Sequence, residues 1–326
     1  MVEITKIKLD KVNRRILAEL DKNCRIPTTM LAKIVRKSRQ TVEYRIRQLI
    51  EKGVIISFNA SINPHKIGYK LYKIYLKLRN IPREKKRLFE YLKSCPITYW
   101  MGECSGTWDL IFAVFCKSDY EFFRFKNELI SKFNKIIVEE WGQSLIDVKQ
   151  YPKMYFTNEV SEPTIFAGDV IDNKLDELDY AILGVIVNNG RISIAELAEK
   201  VKSTPIVVKR RLERMEQKGI IIQYRIGIDL NKLGLELYKA IFTLDRYTKE
   251  DETKLLSYIS QLPNVHYLIN NMWSLELEVV VSNYKEYYEI IEHIKEEFSQ
   301  VIRTVDSVLM ITDEWTPGFK NLLTVK

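Results

Sequence analysis

The stretch SRQTVEYRIRQLIEKGV, residues 38–54, decides how this chain is read. Ser38 has the short hydroxyl that accepts from the first free N–H groups of a helix, so it predicts an N-cap. Val42, Ile46 and Leu49 follow at helical spacing and form one apolar edge. Gly53 supplies the left-handed residue that ends such a helix. With the apolar edge inward, Gln40, Tyr44 and Arg47 point the other way. Thr41 and Gln48 lie near them, and Arg39 and Arg45 sit toward the flanks. Arg and Gln read base edges in the major groove. Arg, Ser, Thr and Tyr hold phosphates. Lys33, Arg36 and Lys37 precede the helix and would cross the DNA backbone. The helix amino end at Ser38 turns N–H groups toward an anion. These residue types in this order predict a recognition helix for double-stranded DNA.

Working outward, residues 8–22 carry Val12, Ile16, Leu17 and Leu20 at helical spacing. A polar corner at residues 23–27 ends that helix, and residues 28–35 make a second one around Leu31 and Ile34. Residues 54–59 read as a strand, the first arm of a wing. Strand 69–78, helix 82–94, strands 98–104 and 108–116, helix 120–133 and strand 136–149 follow. That order is βαββαβ, the ferredoxin-like pattern. Its helices cover one face of the sheet, and the other face is apolar enough to need a partner. Pairing between two such sheets is therefore expected.

A second such sheet is present in the same chain, and a linker of about twenty residues permits pairing within one chain or across two. A shift of 166 residues superposes the sequence on itself without a gap for about sixty positions. Leu9-Asp10 meets Leu175-Asp176, Arg45 meets Arg211, Lys52-Gly53 meets Lys218-Gly219, and Tyr72-Lys73 meets Tyr238-Lys239. Trp108 meets Trp273 after one deletion. The fold class is α+β, with two repeats of a winged helix-turn-helix and a ferredoxin-like domain. The expected domains are 1–62 and 63–152, a linker at 153–172, then 173–228 and 229–315, and a tail at 316–326. The linker is expected to pack in part through Tyr155, Phe156 and Phe166.

The second recognition helix differs from the first. Arg39-Gln40-Thr41 becomes Pro205-Ile206-Val207. Thr204, Lys209, Arg210, Arg211 and Arg214 remain to hold DNA, but an outward Ile206 is a poor base reader. The first helix is expected to carry more of the DNA affinity. The competing reading is a helix-turn-helix used for protein contact. Charge favours DNA at the start of the chain: residues 1–60 carry a net +8, and residues 233–326 a net −6.

The 326 residues suffice for several domains with real cores, and 46% hydrophobic with 29% charged residues is an ordinary globular balance. No apolar run approaches the 18 residues of a membrane span, and the amino terminus has no signal-peptide core. A cytoplasmic location is expected. Cys24, Cys95, Cys104 and Cys116 make no close metal-ligand pair, so neither a metal nor a cofactor is expected. No phosphate loop or nucleophile motif supports an enzyme.

The sequences LDKVNRRILAELDKNCRI, SRQTVEYRIRQLIEKGVI and NPHKIGY, with their second copies LDELDYAILGVIVNNGRI, TPIVVKRRLERMEQKGII and DLNKLGL, carry a resemblance. The chain resembles the Lrp/AsnC, or feast/famine, transcriptional regulators over nearly its whole length. The resemblance implies DNA binding through the amino domain. It also implies a βαββαβ domain that pairs subunits and often senses an amino acid or other small metabolite. Family members are usually one unit that dimerises; here the chain looks like a covalent pseudo-dimer, and further homo-oligomers are the family's habit. The family's Gly-x-x-Asp turn stands here as Gly106-Thr107-Trp108-Asp109, a candidate effector site, whereas the second unit has Asn271-Met272-Trp273-Ser274. A related branch decarboxylates siroheme and would want a His beside a tetrapyrrole carboxylate. Of His65, His266 and His293, only His266 merits a test for that role. The expected function is sequence-specific DNA binding that blocks or recruits transcription machinery.

Overall fold

The computed structural model describes residues 6–312 and 314–315. The expected tail, 316–326, lies outside the described residues. The first unit opens with helices α1 (Lys11–Lys22), α2 (Thr28–Val35) and α3 (Arg39–Glu51). Strand β1 (Ile55–Ile62) leads into β2 (Lys70–Leu78), α4 (Pro82–Ser94), β3 (Thr98–Gly106), β4 (Leu110–Cys116), α5 (Asp119–Lys132) and β5 (Ile137–Gln150). A short strand, β6 (Thr164–Ala167), lies in the connection and pairs with β5. The second unit repeats the order with α6 (Glu177–Ile186), α7 (Ile194–Lys200), α8 (Pro205–Gln217), β7 (Ile221–Ile228) and the single turn α9 (Leu230–Leu233). It continues with β8 (Glu236–Leu244), α10 (Lys249–Ser260), β9 (Val265–Asn271), β10 (Leu275–Val281), α11 (Tyr284–Glu297), β11 (Ile302–Met310) and β12 (Glu314–Trp315). The α+β class and the two-repeat plan hold.

Alternation explains the sheet. Along β2, Tyr72, Ile74 and Leu76 face the helices with Leu88, Leu92 and Leu129, while Leu71, Lys73 and Tyr75 face the other way. Along β10, Leu275, Leu277 and Val279 face their helices while Glu276, Glu278 and Val280 do not. Each sheet therefore has a second face to cover, and the other unit covers it. The two sheets join edge to edge at both sides: β5 pairs with β9, and β11 pairs with β3. The ring β2-β4-β3-β11-β8-β10-β9-β5 closes on itself as an eight-stranded barrel. Eight strands leave an interior that side chains can fill.

The wing departs from expectation. β1 does not fold back on a second arm of its own unit. It pairs antiparallel with β7, from Ile55 opposite Ile228 to Ile62 opposite Ile221. The ladder groups of each wing strand are satisfied only by the other repeat. The connection between units is also built rather than loose: Phe156 and Phe166 are buried, and Tyr155 packs against the same core.

Candidate nucleic-acid interface

Helix α3 is anchored by Val42, Ile46 and Leu49, all buried. Ser38 caps it, its Oγ accepting from the Thr41 N–H at 3.1 Å. Opposite the buried edge, Lys37, Ser38, Arg39, Gln40, Tyr44 and Arg47 are exposed, with Tyr44 at 60%. Thr41 and Arg45 are half-buried. Arg39 donates to Glu43 at 2.7 Å, which occupies part of its fork. Arg47 is exposed and makes no ion pair among the described residues.

Arg45 has a different job. Its Nη1 reaches Asp10 at 2.7 Å and Asn13 at 2.9 Å, at the start of α1. It therefore braces the recognition helix against the first helix. The same brace exists in the second unit, where Arg211 pairs with Asp176 and with Asp179 at 3.2 Å, and Arg214 also pairs with Asp179. Asp179 is fully buried. Sequence reasoning grouped these arginines with the DNA contacts. The spacing of Asp10 and Asp176 ahead of the helices, 35 residues before Arg45 and Arg211, is a signal it did not use.

Helix α8 keeps the cap, Thr204 accepting from the Val207 N–H at 3.4 Å, and buries Val208, Leu212 and Met215. Its outward face carries Ile206, 83% exposed, with Lys209 and Arg210. Lys209 lies 3.8 Å from Glu213. The two recognition helices are thus held alike and equipped differently.

The two helix-turn-helix units are locked to each other by reciprocal contacts. Arg25 donates to the Gly190 carbonyl at 2.9 Å, and Arg191 donates to the Cys24 carbonyl at 3.0 Å. The Cys24 N–H donates to the Tyr224 carbonyl, and the Gly190 N–H to the Phe58 carbonyl. Arg25 also lies over the Tyr224 ring and Arg191 over the Phe58 ring. Each contact recurs at the 166-residue shift, as an approximate two-fold axis requires. A Cβ on Gly190 would stand 2.9 Å from the Asn59 backbone, so this close approach needs glycine.

One contact breaks the symmetry. Asp21, fully buried on α1, accepts from Arg225 of β7 at 2.6 and 3.0 Å and from Lys153 Nζ at 3.0 Å. Burial alone would raise its carboxyl, but Arg225 and Lys153 outweigh that and hold it well below the usual carboxylate range. Its repeat counterpart is Val187. This cluster lies beside a cavity of about 970 Å³ between the wing ribbon and one end of the barrel. Lys153, Arg225, His266, Asp229 and Glu236 are among the lining residues. His266 is pushed well below the ordinary imidazole range by burial, with Lys153 and Arg225 adding to the effect, and its Nδ1 has no partner. His65 is buried in the connection before β2, between the Gly168 carbonyl and the Leu71 N–H.

The Gly106–Asp109 turn sits on the seam between the units. Gly106 has φ +135°, and a Cβ there would meet the Ser307 carbonyl oxygen at 2.4 Å. Asp109 accepts from the Leu78 N–H at 2.8 Å and lies 3.5 Å from Lys77. Trp108 is buried in the barrel against Tyr75. All four cysteines are buried thiols, and no cluster of metal-ligating side chains exists among the described residues. No helix among them is long and apolar enough to cross a membrane.

Paired helix-turn-helix units on a joined double sheet define a class by architecture, two like units related by an approximate two-fold axis. The winged helix-turn-helix DNA-binding family profile matches residues 9–56 and again 175–222. The uncharacterized HTH-type transcriptional regulator PH1916 of Pyrococcus horikoshii is 31% identical over 143 residues, covering 42% of this chain and 94% of that protein. The HTH-type transcriptional regulator LrpC of Bacillus subtilis is 34% identical over 94 residues, 29% of this chain and 64% of that protein. The chain belongs to the Lrp/AsnC family of transcriptional regulators, as a tandem of two units. These relatives are regulators by name, not enzymes. Over its full length the fold is similar to the siroheme decarboxylase NirDL, with TM-score 0.63, 12% identity and 97% of each chain covered.

Proposed function

We propose that this chain is a cytoplasmic, sequence-specific regulator of transcription that binds double-stranded DNA through α3 and, more weakly, through α8. The observation that carries the reading is α3 itself: one edge is buried, the amino end is capped by Ser38, and Gln40, Tyr44 and Arg47 stand open to solvent. Lys37, Ser38, Arg39 and Thr41 supply backbone contacts at its amino end. Arg45 acts from behind, through Asp10 and Asn13. On α8, Thr204, Lys209 and Arg210 contact phosphate, while Arg211 and Arg214 brace the helix. The reciprocal Arg25 and Arg191 contacts fix the two reading heads as a pair.

Two heads on one DNA face meet half-sites about 34 Å apart or at a multiple of that spacing. Because Ile206 replaces Gln40, one half-site is strong and the other degenerate. Modulation by an amino acid or another small metabolite belongs to the same reading. The Gly106–Asp109 turn lies on the seam, so a molecule seated there would act on how the sheets join. Bound protein would block or recruit the transcription machinery.

Selection from random duplex DNA at fixed salt tests this. A single strong motif with a weaker partner at helical spacing is the expected result. Failure to enrich any sequence above a scrambled pool would defeat the proposal.

A further inference from the structure

The barrel interior holds a charged network that is not symmetric. Lys73 and Lys239 are repeat counterparts, and both are buried. Lys73 Nζ reaches Glu276 at 2.5 Å; Lys239 Nζ reaches Glu276 at 2.6 Å and Glu278 at 2.7 Å. Tyr75 and Asn271 also donate to Glu276, Asn271 at 2.6 Å. Both lysines lie over the Trp100 ring, at 5.6 and 5.3 Å. The register shows where the two carboxylates have no counterpart. Lys239 stands opposite Glu278, but Lys73 stands opposite Ala113; Ile241 stands opposite Glu276, but Tyr75 stands opposite Ile111.

We propose that this asymmetry is a pairing code: a first-unit sheet closes only with a second-unit sheet. Two lysines and two glutamates then share one interior, and the formal charge is zero. Two first-unit sheets would enclose two lysines with no carboxylate. Two second-unit sheets would enclose two lysines with four carboxylates and without the Tyr75 hydroxyls. An unpaired charge in a closed interior is costly enough to exclude both alternatives. Like-paired sheets are rejected by what they would bury, a repulsive element as well as an attractive one. Every barrel therefore carries one α3 and one α8, whether it forms within a chain or by exchange between two copies. This holds independently of DNA binding, so its failure and that of the proposed function are separable.

Two variants of the full chain test the code by thermal unfolding. Glu276→Ile with Glu278→Ala removes the carboxylates and should lower the melting temperature by about 10 °C. Adding Ile111→Glu and Ala113→Glu restores two carboxylates from the other unit and should recover most of that loss. A depleted variant as stable as the parent, or a relocated one no more stable than the depleted, overturns the proposal. Protein nicked in its native state at a protease site placed within residues 157–162 gives a second readout. After mixing with a heavy-isotope nicked sample and incubation until light and heavy fragments have exchanged, native mass spectrometry should show light–heavy first-with-second pairs and no like pairs. Masses of two first units or two second units overturn it.

Discussion

Replacing Arg47 by Ala separates the two recognition helices. Arg47 is exposed on α3, pairs with no acid among the described residues, and projects beside Gln40 and Tyr44. A bidentate base contact is worth roughly 1–3 kcal/mol, so R47A should weaken specific binding by about 5- to 150-fold. Arg210 is also exposed on α8, but its neighbour is the apolar Ile206. R210A should remove only a phosphate contact, costing about threefold and lowering the salt slope by roughly 0.9. Arg39 already spends part of its fork on Glu43, so R39A should fall between them. Neither R47A nor R210A should move the melting temperature appreciably, since exposed substitutions stay within about 0.5 kcal/mol. The assay is a gel-shift titration on the selected site at three salt concentrations, with binding to a scrambled duplex subtracted. Equal losses for R47A and R210A, or a larger one for R210A, would refute unequal reading.

Gly190→Ala should loosen the docked helix-turn-helix pair, because its methyl would press on the Asn59 backbone; hydrogen exchange along β1 and β7 should rise while the barrel stays protected. Asp21→Asn leaves Arg225 and Lys153 buried without their carboxylate and should cost about 3–5 kcal/mol in urea unfolding. Burial raises the Glu276 carboxyl, but Lys239 and Lys73 outweigh it and bring the group down to about 2. A depressed carboxyl gives stability that is present above its unfolded value, near 4.5, and is lost as pH falls toward 2. Stability measured by urea should therefore decline across that window in the parent and more shallowly in E276Q. Added siroheme should leave the visible spectrum unshifted: Asp21 occupies Arg225 and Lys153, and Asp229 and Glu236 on the same cavity would repel further carboxylates. A shifted Soret band would reopen the decarboxylase reading.

Local patterns were legible in the sequence because they rest on neighbours. Helix 82–94 begins at Pro82 and ends after Ser94, as its apolar spacing and flanking residues require. The recognition helix was equally plain, since its cap, buried edge and stop lie within 16 residues. Strand 108–116 starts two residues later than periodicity suggests, because Trp108 belongs to the turn. Partnership was less legible. Nothing in Ile55–Ile62 says that its ladder comes from Ile221–Ile228, because pairing between distant strands leaves no local mark. The match of Lys73 with Lys239 was visible, but not that both point into a closed interior. Asp21 looks like any acidic residue on a helix until the fold brings it to Arg225, 204 positions away.

Closure of the double sheet also limits what the molecule can do next. A strand on the rim of an open sheet presents free amide and carbonyl groups, and a stranger's backbone can extend it. In the ring itself, each strand has a neighbour on both sides. Among the described residues, strands paired on one side only are confined to the β1–β7 ribbon and the short β6 and β12, so at the barrel larger assemblies must grow through side chains on the surrounding helices rather than by continuing the ladder. Such contacts are specified residue by residue, which makes higher-order association adjustable by single surface substitutions.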